Sequence, residues 1–152
     1  MARPREFDTD AALSGAMDVF WEHGYEGASL PDLLTGMNLT RGSLYRAFKD
    51  KKSLFLTVLT RYEDSAVDAA ALLLSDDNIP DGWDLVTHLF ETIPQAMASG
   101  DHRGCLLCSA AAGPASYDVE IAAQVHKSLN KMRNAFAVAL GNDALSDLLL
   151  SH

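Results

Sequence analysis

LTRGSLYRAFKDKKSLF, residues 39–55, holds five of the chain's 12 Lys and Arg residues, although the chain carries a formal charge of −9. Thr40 is a residue type whose side-chain oxygen caps a helix start. Leu39 before it and Leu44 at the fourth helical position have the spacing of a hydrophobic staple. On a helical wheel Leu44 and Phe48 fall on one side, and Gly42, Ser43 and Arg46 on the other. The spacing therefore predicts a short helix that packs with one face and presents a small, polar, cationic face outward. Asp50 then has the position of a second cap, opening a longer helix through Leu54 and Phe55.

Upstream, Ser29-Leu30-Pro31-Asp32 matches the S/T-x-x-D/E capping pattern, and Pro31 fits only a first helical turn. A short helix carrying Leu33, Leu34 and Met37 follows and stops near residues 36–38. Before it, Leu13, Ala16, Met17, Phe20 and Trp21 form a stripe at helical spacing over residues 8–23, with Gly24 as the stop. An amphipathic helix, two short helices across a tight turn and a basic run make up the layout of a helix-turn-helix DNA reader.

Downstream the pattern stays helical. The stripe Leu54, Phe55, Val58, Leu59, Tyr62, Ala66, Ala69 and Leu73 predicts about six turns, ended by the turn formers of residues 75–82. Val86, Leu89, Phe90, Ile93 and Met97 predict a helix over 83–98 with a kink at Pro94. Residues 105–112, small and apolar, predict a short buried helix, stopped by Gly113-Pro114. Ala122, Val125, Leu129, Met132, Phe136 and Leu140 mark a helix over 118–140, and residues 144–152 begin another. No run alternates as a strand does, so the fold class is all-α.

With 48% hydrophobic and 22% charged residues the chain can bury a core. Residues 1–20 contain no apolar run of the signal-peptide kind, and no stretch reaches the roughly 18 apolar residues of a membrane span, so a cytoplasmic protein without a membrane partner is expected. Charge is polarised: residues 1–55 carry a net −1 and the remainder −8, yet residues 38–52 alone carry +4. A basic patch on an acidic body turns one end toward nucleic acid.

Gly24-Tyr25-Glu26-Gly27-Ala28-Ser29, then residues 39–48, then Asp50-Lys51-Lys52-Ser53-Leu54-Phe55 resemble, in order, the DNA-binding segments of TetR/AcrR-type transcriptional regulators. The resemblance implies a three-helix DNA-binding domain, residues 1–52. A long fourth helix would join it to a helical ligand-binding and dimerisation domain, residues 53–152, which stops shortly into the family's C-terminal helix pair. It also implies a repressor, acting as a homodimer on palindromic double-stranded DNA and released by a small-molecule effector, with no cofactor. Thr40, Arg41, Gly42 and Ser43 would face the major groove, with Arg41 or Arg46 donating to guanine. Tyr45 and Lys51 would hold phosphates, Ser29 would bring the second helix's N-terminus to the backbone, and Lys49 would add charge. Arg3 and Arg5 would lie along the minor groove. Many family members carry a ring at the position of Ala47, so one contact is absent there. Gly104-Cys105-Leu106-Leu107 is similar to a Gly-Cys-Leu motif in one branch of the family. Pocket candidates are His88, Phe90, Met97, Cys105, Cys108 and Tyr117.

Cys105 and Cys108 also raise a redox or metal reading. Neither His102 nor His126 stands at a recognised zinc spacing to them, and thioredoxin-like chemistry needs a βαβ context. The apolar neighbours Leu106, Leu107 and Ala110 favour buried, inert thiols, with an oxidant-sensitive regulatory Cys105 as the sharper alternative. A small helical thiol-redox protein and a helical interaction module that does not read sequence are the rival functions.

Overall fold

A computed structural model describes residues 8–141; Arg3, Arg5 and residues 144–152 lie outside them. Eight α-helices are present among the described residues, and no strand: α1 Thr9–Gly27, α2 Leu30–Met37, α3 Arg41–Phe48, α4 Lys51–Tyr62, α5 Asp68–Leu73, α6 Gly82–Ala98, α7 Leu106–Ala112 and α8 Val119–Leu140. Among these residues no helix is long and apolar enough to cross a membrane. Two compact units form: residues 8–61 with Cys105–Val125, and Tyr62–Gly104 with residues 126–141.

The first unit contains the three N-terminal helices and α4. Asp8 caps α1, its carboxylate accepting the N–H groups of Asp10 and Ala11 at 3.0 and 3.1 Å. At Gly24 the helix breaks, with φ 70° and ψ 173°, a backbone that only glycine adopts without strain. Ala12, Leu13, Ala16 and Phe20 face inward, and Leu33, Leu44, Leu54, Phe55, Val58 and Leu59 are buried with them. Rings of Phe20, Tyr25 and Phe55 cluster, with centroids 4.8 to 6.2 Å apart. Where α1 crosses α2, a Cβ on Gly15 would stand 2.0 Å from the Gly36 carbonyl oxygen, so the crossing needs a residue without a side chain. Leu106, Leu107 and Ala110 of α7, then Ala115, Ile121 and Val125, complete this core.

In the second unit the expected apolar phase changes. Glu63–Val67 forms a π-helical turn after Tyr62, and a wider turn advances every later side chain around the axis. Burial accordingly passes to Glu63, Val67 and Leu74, leaving Ala66, Ala69 and Leu73 of the predicted stripe half-buried or exposed. Glu63 is 5% exposed and is satisfied from α8: the Ser128 hydroxyl donates to it at 2.5 Å, and Lys127 and Lys131 stand at 3.5 and 3.6 Å. On α8 the buried edge is Ile121, Val125 and Ser128, whereas Leu129 of the predicted stripe is exposed. Along α6 the difference is larger, since Leu85 is buried while Phe90, Ile93 and Met97 of the predicted stripe are exposed. Phe90 stacks on Phe136, centroids 6.4 Å apart.

Candidate nucleic-acid interface

The turn before α3 is built by local hydrogen bonds. Asn38 takes the left-handed conformation, φ 53° and ψ 44°. Its N–H donates to the Thr35 carbonyl and that of Leu39 to Leu34, the paired bonds of a Schellman ending. Thr40 then caps α3, accepting the Ser43 N–H at 3.2 Å and donating to the Ser43 hydroxyl at 3.0 Å. With the helix so placed, Leu44 and Phe48 enter the core, and Thr40, Arg41, Gly42, Tyr45 and Arg46 are exposed. Tyr45 is 45% exposed, which makes it a surface side chain and not a core tyrosine. A Cβ added to Gly42 would meet nothing within 4 Å. The fold itself therefore gives no reason for glycine there.

The structure sorts the five cations of residues 39–55. Among the described residues Arg41, Arg46 and Lys49 form no side-chain hydrogen bond or ion pair, and all three are exposed. Lys49 has φ 67° and ψ −58°, and the Asp50 N–H reaches the Phe48 carbonyl across it at 2.7 Å. This is a γ-turn of the rare positive-φ kind, strained for a residue with a Cβ. Asp50 caps the next helix through the Ser53 N–H at 2.7 Å, a bond that holds its carboxyl below the usual range. Lys51 is half-buried: its ammonium lies 4.9 Å from the centre of the Tyr25 ring and 3.4 Å from the Glu26 carbonyl oxygen. Burial lowers its pKa. Lys52 pairs with Asp118 at 3.3 Å and with Glu120, contacts that raise its pKa. Neither attachment was visible in the sequence, because the partners of Lys52 lie 66 and more residues away.

Ser29 closes a reciprocal capping box. Its N–H donates to Asp32 Oδ2 at 3.2 Å, its hydroxyl also donates to that carboxylate, and it accepts the Asp32 N–H at 3.2 Å. These bonds depress the Asp32 pKa.

The pocket candidates are divided between the units. His88, Phe90 and Met97 are exposed on α6 in the second. Cys105, Cys108 and Tyr117, the last 90% exposed, belong to the first. Burial of the two thiols is corrected: both are exposed, because the packing face of α7 is formed by Leu106, Leu107 and Ala110. A cleft of about 200 Å³ in the first unit is lined by Phe20, Tyr25, Phe55, Leu106, Ser109 and Ala110 among others, and by none of the six candidates.

Residues 12–58 match the model of bacterial regulatory proteins of the tetR family. The HTH-type transcriptional repressor ComR of Escherichia coli (strain K12) is 37% identical over 108 residues, covering 69% of this chain and 50% of its own length. A transcriptional regulator of Bacillus subtilis (strain 168), YezE, is 29% identical over 137 residues, 90% of this chain and 70% of the relative. Among solved structures, a cysteine mutant of the TetR family transcriptional regulator CifR, complexed with 26-bp double-strand operator DNA, superposes with a TM-score of 0.74 at 35% identity. That match covers 93% of this chain and 76% of the other. The chain belongs to the TetR family, and it spans half the length of ComR.

Proposed function

We propose that this TetR-family chain is a cytoplasmic, sequence-specific DNA-binding regulator, a repressor that acts as a homodimer and is released by a small-molecule effector. One observation carries the reading: α3 buries Leu44 and Phe48 and leaves Arg41, Gly42, Tyr45, Arg46 and Lys49 exposed, the three cations without side-chain partners among the described residues. A helix meant only to pack has no use for an unsatisfied cationic face with a glycine in it.

In this reading Arg41 and Arg46 donate to guanine N7 and O6, and Thr40, Gly42 and Ser43 lie along the groove floor. Tyr45 and Lys49 meet phosphates, while Ser29, through its capping box, aims the α2 N-terminus at the backbone. Lys51 contributes charge from its seat on Tyr25. Residues 1–52 form the reading head and 53–152 the regulatory part, with an effector meeting the α6 face at His88, Phe90 and Met97. Two half-sites demand two heads, which is why a dimer is part of the proposal. For the effector to act, it must prefer the conformation that fails to span both half-sites.

Binding-site selection from random duplexes, followed by affinity titration of Arg41→Ala and Tyr45→Ala, tests this function. A recovered palindrome with weakened binding in both variants is expected. Equal affinity for random and selected duplexes, or variants that bind like the parent, would refute it.

A further inference from the structure

Cys105 and Cys108 are two exposed thiols on consecutive sides of one turn. Cys105 is extended, φ −92° and ψ 122°, immediately before α7, and its carbonyl accepts the Ser109 N–H at 3.0 Å. Cys108 therefore stands one turn above it. Positions three apart in a helix have Cα atoms about 5 Å apart from the rise and radius of the helix, inside the roughly 4.4–6.8 Å that a disulfide spans. The Cys105 side chain lies close enough to act on the Cys108 thiol. Leu106, Leu107 and Ala110 face the core, so the outward thiols are open to a solute.

We propose that Cys105 and Cys108 form a dithiol modification site, oxidised by a hydroperoxide to an intramolecular disulfide, and that this bridge weakens DNA binding. The second half rests on the DNA-binding function proposed above. In the first step the Cys105 sulfur attacks the peroxide; the O–O bond breaks, an alcohol leaves with the thiol's proton, and Cys105 becomes a sulfenic acid. In the second, the Cys108 sulfur attacks the sulfenic sulfur, the S–S bond forms, the S–O bond breaks, and water leaves with the Cys108 proton. Two thiols lose two electrons and two protons, and the hydroperoxide is reduced to alcohol and water. Burial and the adjacent Cys105 push the Cys108 thiol up, which disfavours its thiolate and suits it to the second step.

The bridge reaches the reading head through packing within the first unit. Side chains three apart on a helix have Cβ atoms about 5–6 Å apart, whereas a disulfide holds them at about 3.8 Å. Closing it therefore pulls the two Cβ atoms together by about 1–2 Å and shifts the first turn of α7. Leu106 and Leu107, each 1% exposed, lie in that turn. Leu106 lines the same cleft as Phe20, Tyr25 and Phe55, and the Tyr25 ring seats Lys51 at the head of α4. A close-packed core transmits such a shift instead of absorbing it.

The test uses the full chain, reduced and then treated with tert-butyl hydroperoxide. Expected results are a monomer lighter by two hydrogen atoms, loss of both thiols to maleimide labelling, and recovery with dithiothreitol. Cys108→Ser should stop at a sulfenic acid that dimedone traps. With a duplex selected by the reduced protein, oxidation should weaken binding about ten-fold or more, as sites coupled by conformation do, and the Cys105→Ser/Cys108→Ser double variant should be insensitive. Thiols that stay reactive, or bridges between chains, overturn the site. A disulfide that forms while affinity stays within about two-fold overturns the regulation. A reduced chain that selects no duplex overturns the DNA-binding function, and the mass and labelling results then decide the dithiol chemistry alone.

Discussion

Gly42→Ala separates a reading helix from a packing helix. Glycine inside a helix costs roughly 0.5–1 kcal/mol relative to alanine, through the backbone freedom lost on folding. Position 42 is the second residue of α3, and a Cβ there meets nothing within 4 Å. The substitution should therefore stabilise the free protein by about 0.5–1 kcal/mol, raising the thermal midpoint by about 1–4 °C for a chain of this size. On DNA the same methyl group projects from the face proposed to enter the groove. A loss of about ten-fold in affinity, or about 1.4 kcal/mol, is expected. Circular-dichroism melting and fluorescence anisotropy on a selected duplex measure the two quantities. The control is Gly15→Ala, whose Cβ would lie 2.0 Å from the Gly36 carbonyl oxygen; overpacking of that kind costs about 1–3 kcal/mol or more and should lower stability and binding together. Tighter folding with weaker binding separates Gly42→Ala from that control. A Gly42→Ala protein that binds as well as the parent, or melts lower, refutes the placement of α3.

Lys49→Gly should likewise raise stability, by about 1–2 kcal/mol, since a glycine relieves the strain of a positive-φ γ-turn, while removing an exposed cation and lowering DNA affinity; denaturant titration and anisotropy read the two effects. Lys52→Ala should leave the dependence of log affinity on log salt unchanged, because Lys52 is already paired with Asp118 and Glu120. Lys49→Ala should lower that slope by about 0.9, since in the proposed docking Lys49 meets one phosphate. Ser128→Ala removes a bond to a buried carboxylate and should cost about 1.5–3 kcal/mol in a denaturant melt. The Ser128 hydroxyl, with Lys127 and Lys131 behind it, holds Glu63 below the ordinary value of 4.5. The unfolded chain therefore binds the proton more readily, and this contribution is complete above 4.5 and lost as pH falls through the lower folded value. Glu63→Gln should flatten the acid limb of a stability-against-pH profile; an unchanged limb excludes Glu63 from acid unfolding.

The N-terminal part was legible because its signals are local. Ser29, Thr40 and Asp50 cap within three residues of themselves, and each does so in the structure. Two kinds of feature were hidden. A periodic stripe assumes an unbroken α-helix, so the π turn at Glu63–Val67 shifted the buried phase by a residue that no local residue type announces. Exposure also depends on what lies opposite: Phe90, Ile93 and Met97 have the spacing of a core stripe yet are exposed among the described residues. The glycine pair Gly15 and Gly36 could have been noticed as two helical glycines in consecutive helices, the usual mark of a close crossing. Among the cations, no sequence signal distinguished Lys51 and Lys52, which the fold occupies, from Arg41, Arg46 and Lys49, which it leaves exposed.

A reading head of residues 1–52 is near the lower limit for a self-sufficient core, since even a chain of about 60 residues buries only about 60% of its unfolded surface. Here the shortfall is met from a distance. Leu106, Leu107, Ala110, Ala115, Ile121 and Val125, all buried, come from residues that follow the whole of α6, yet they complete the core that α1, α3 and α4 begin. Lys52 adds a polar attachment to the same segment through Asp118 and Glu120. A change of packing in residues 105–125 therefore acts on the reading head directly, with no need for a signal to travel through the second unit. That arrangement makes the surface of α7 an effective place for chemistry to control α3, because the residues that would react and the residues that would read DNA share one hydrophobic core.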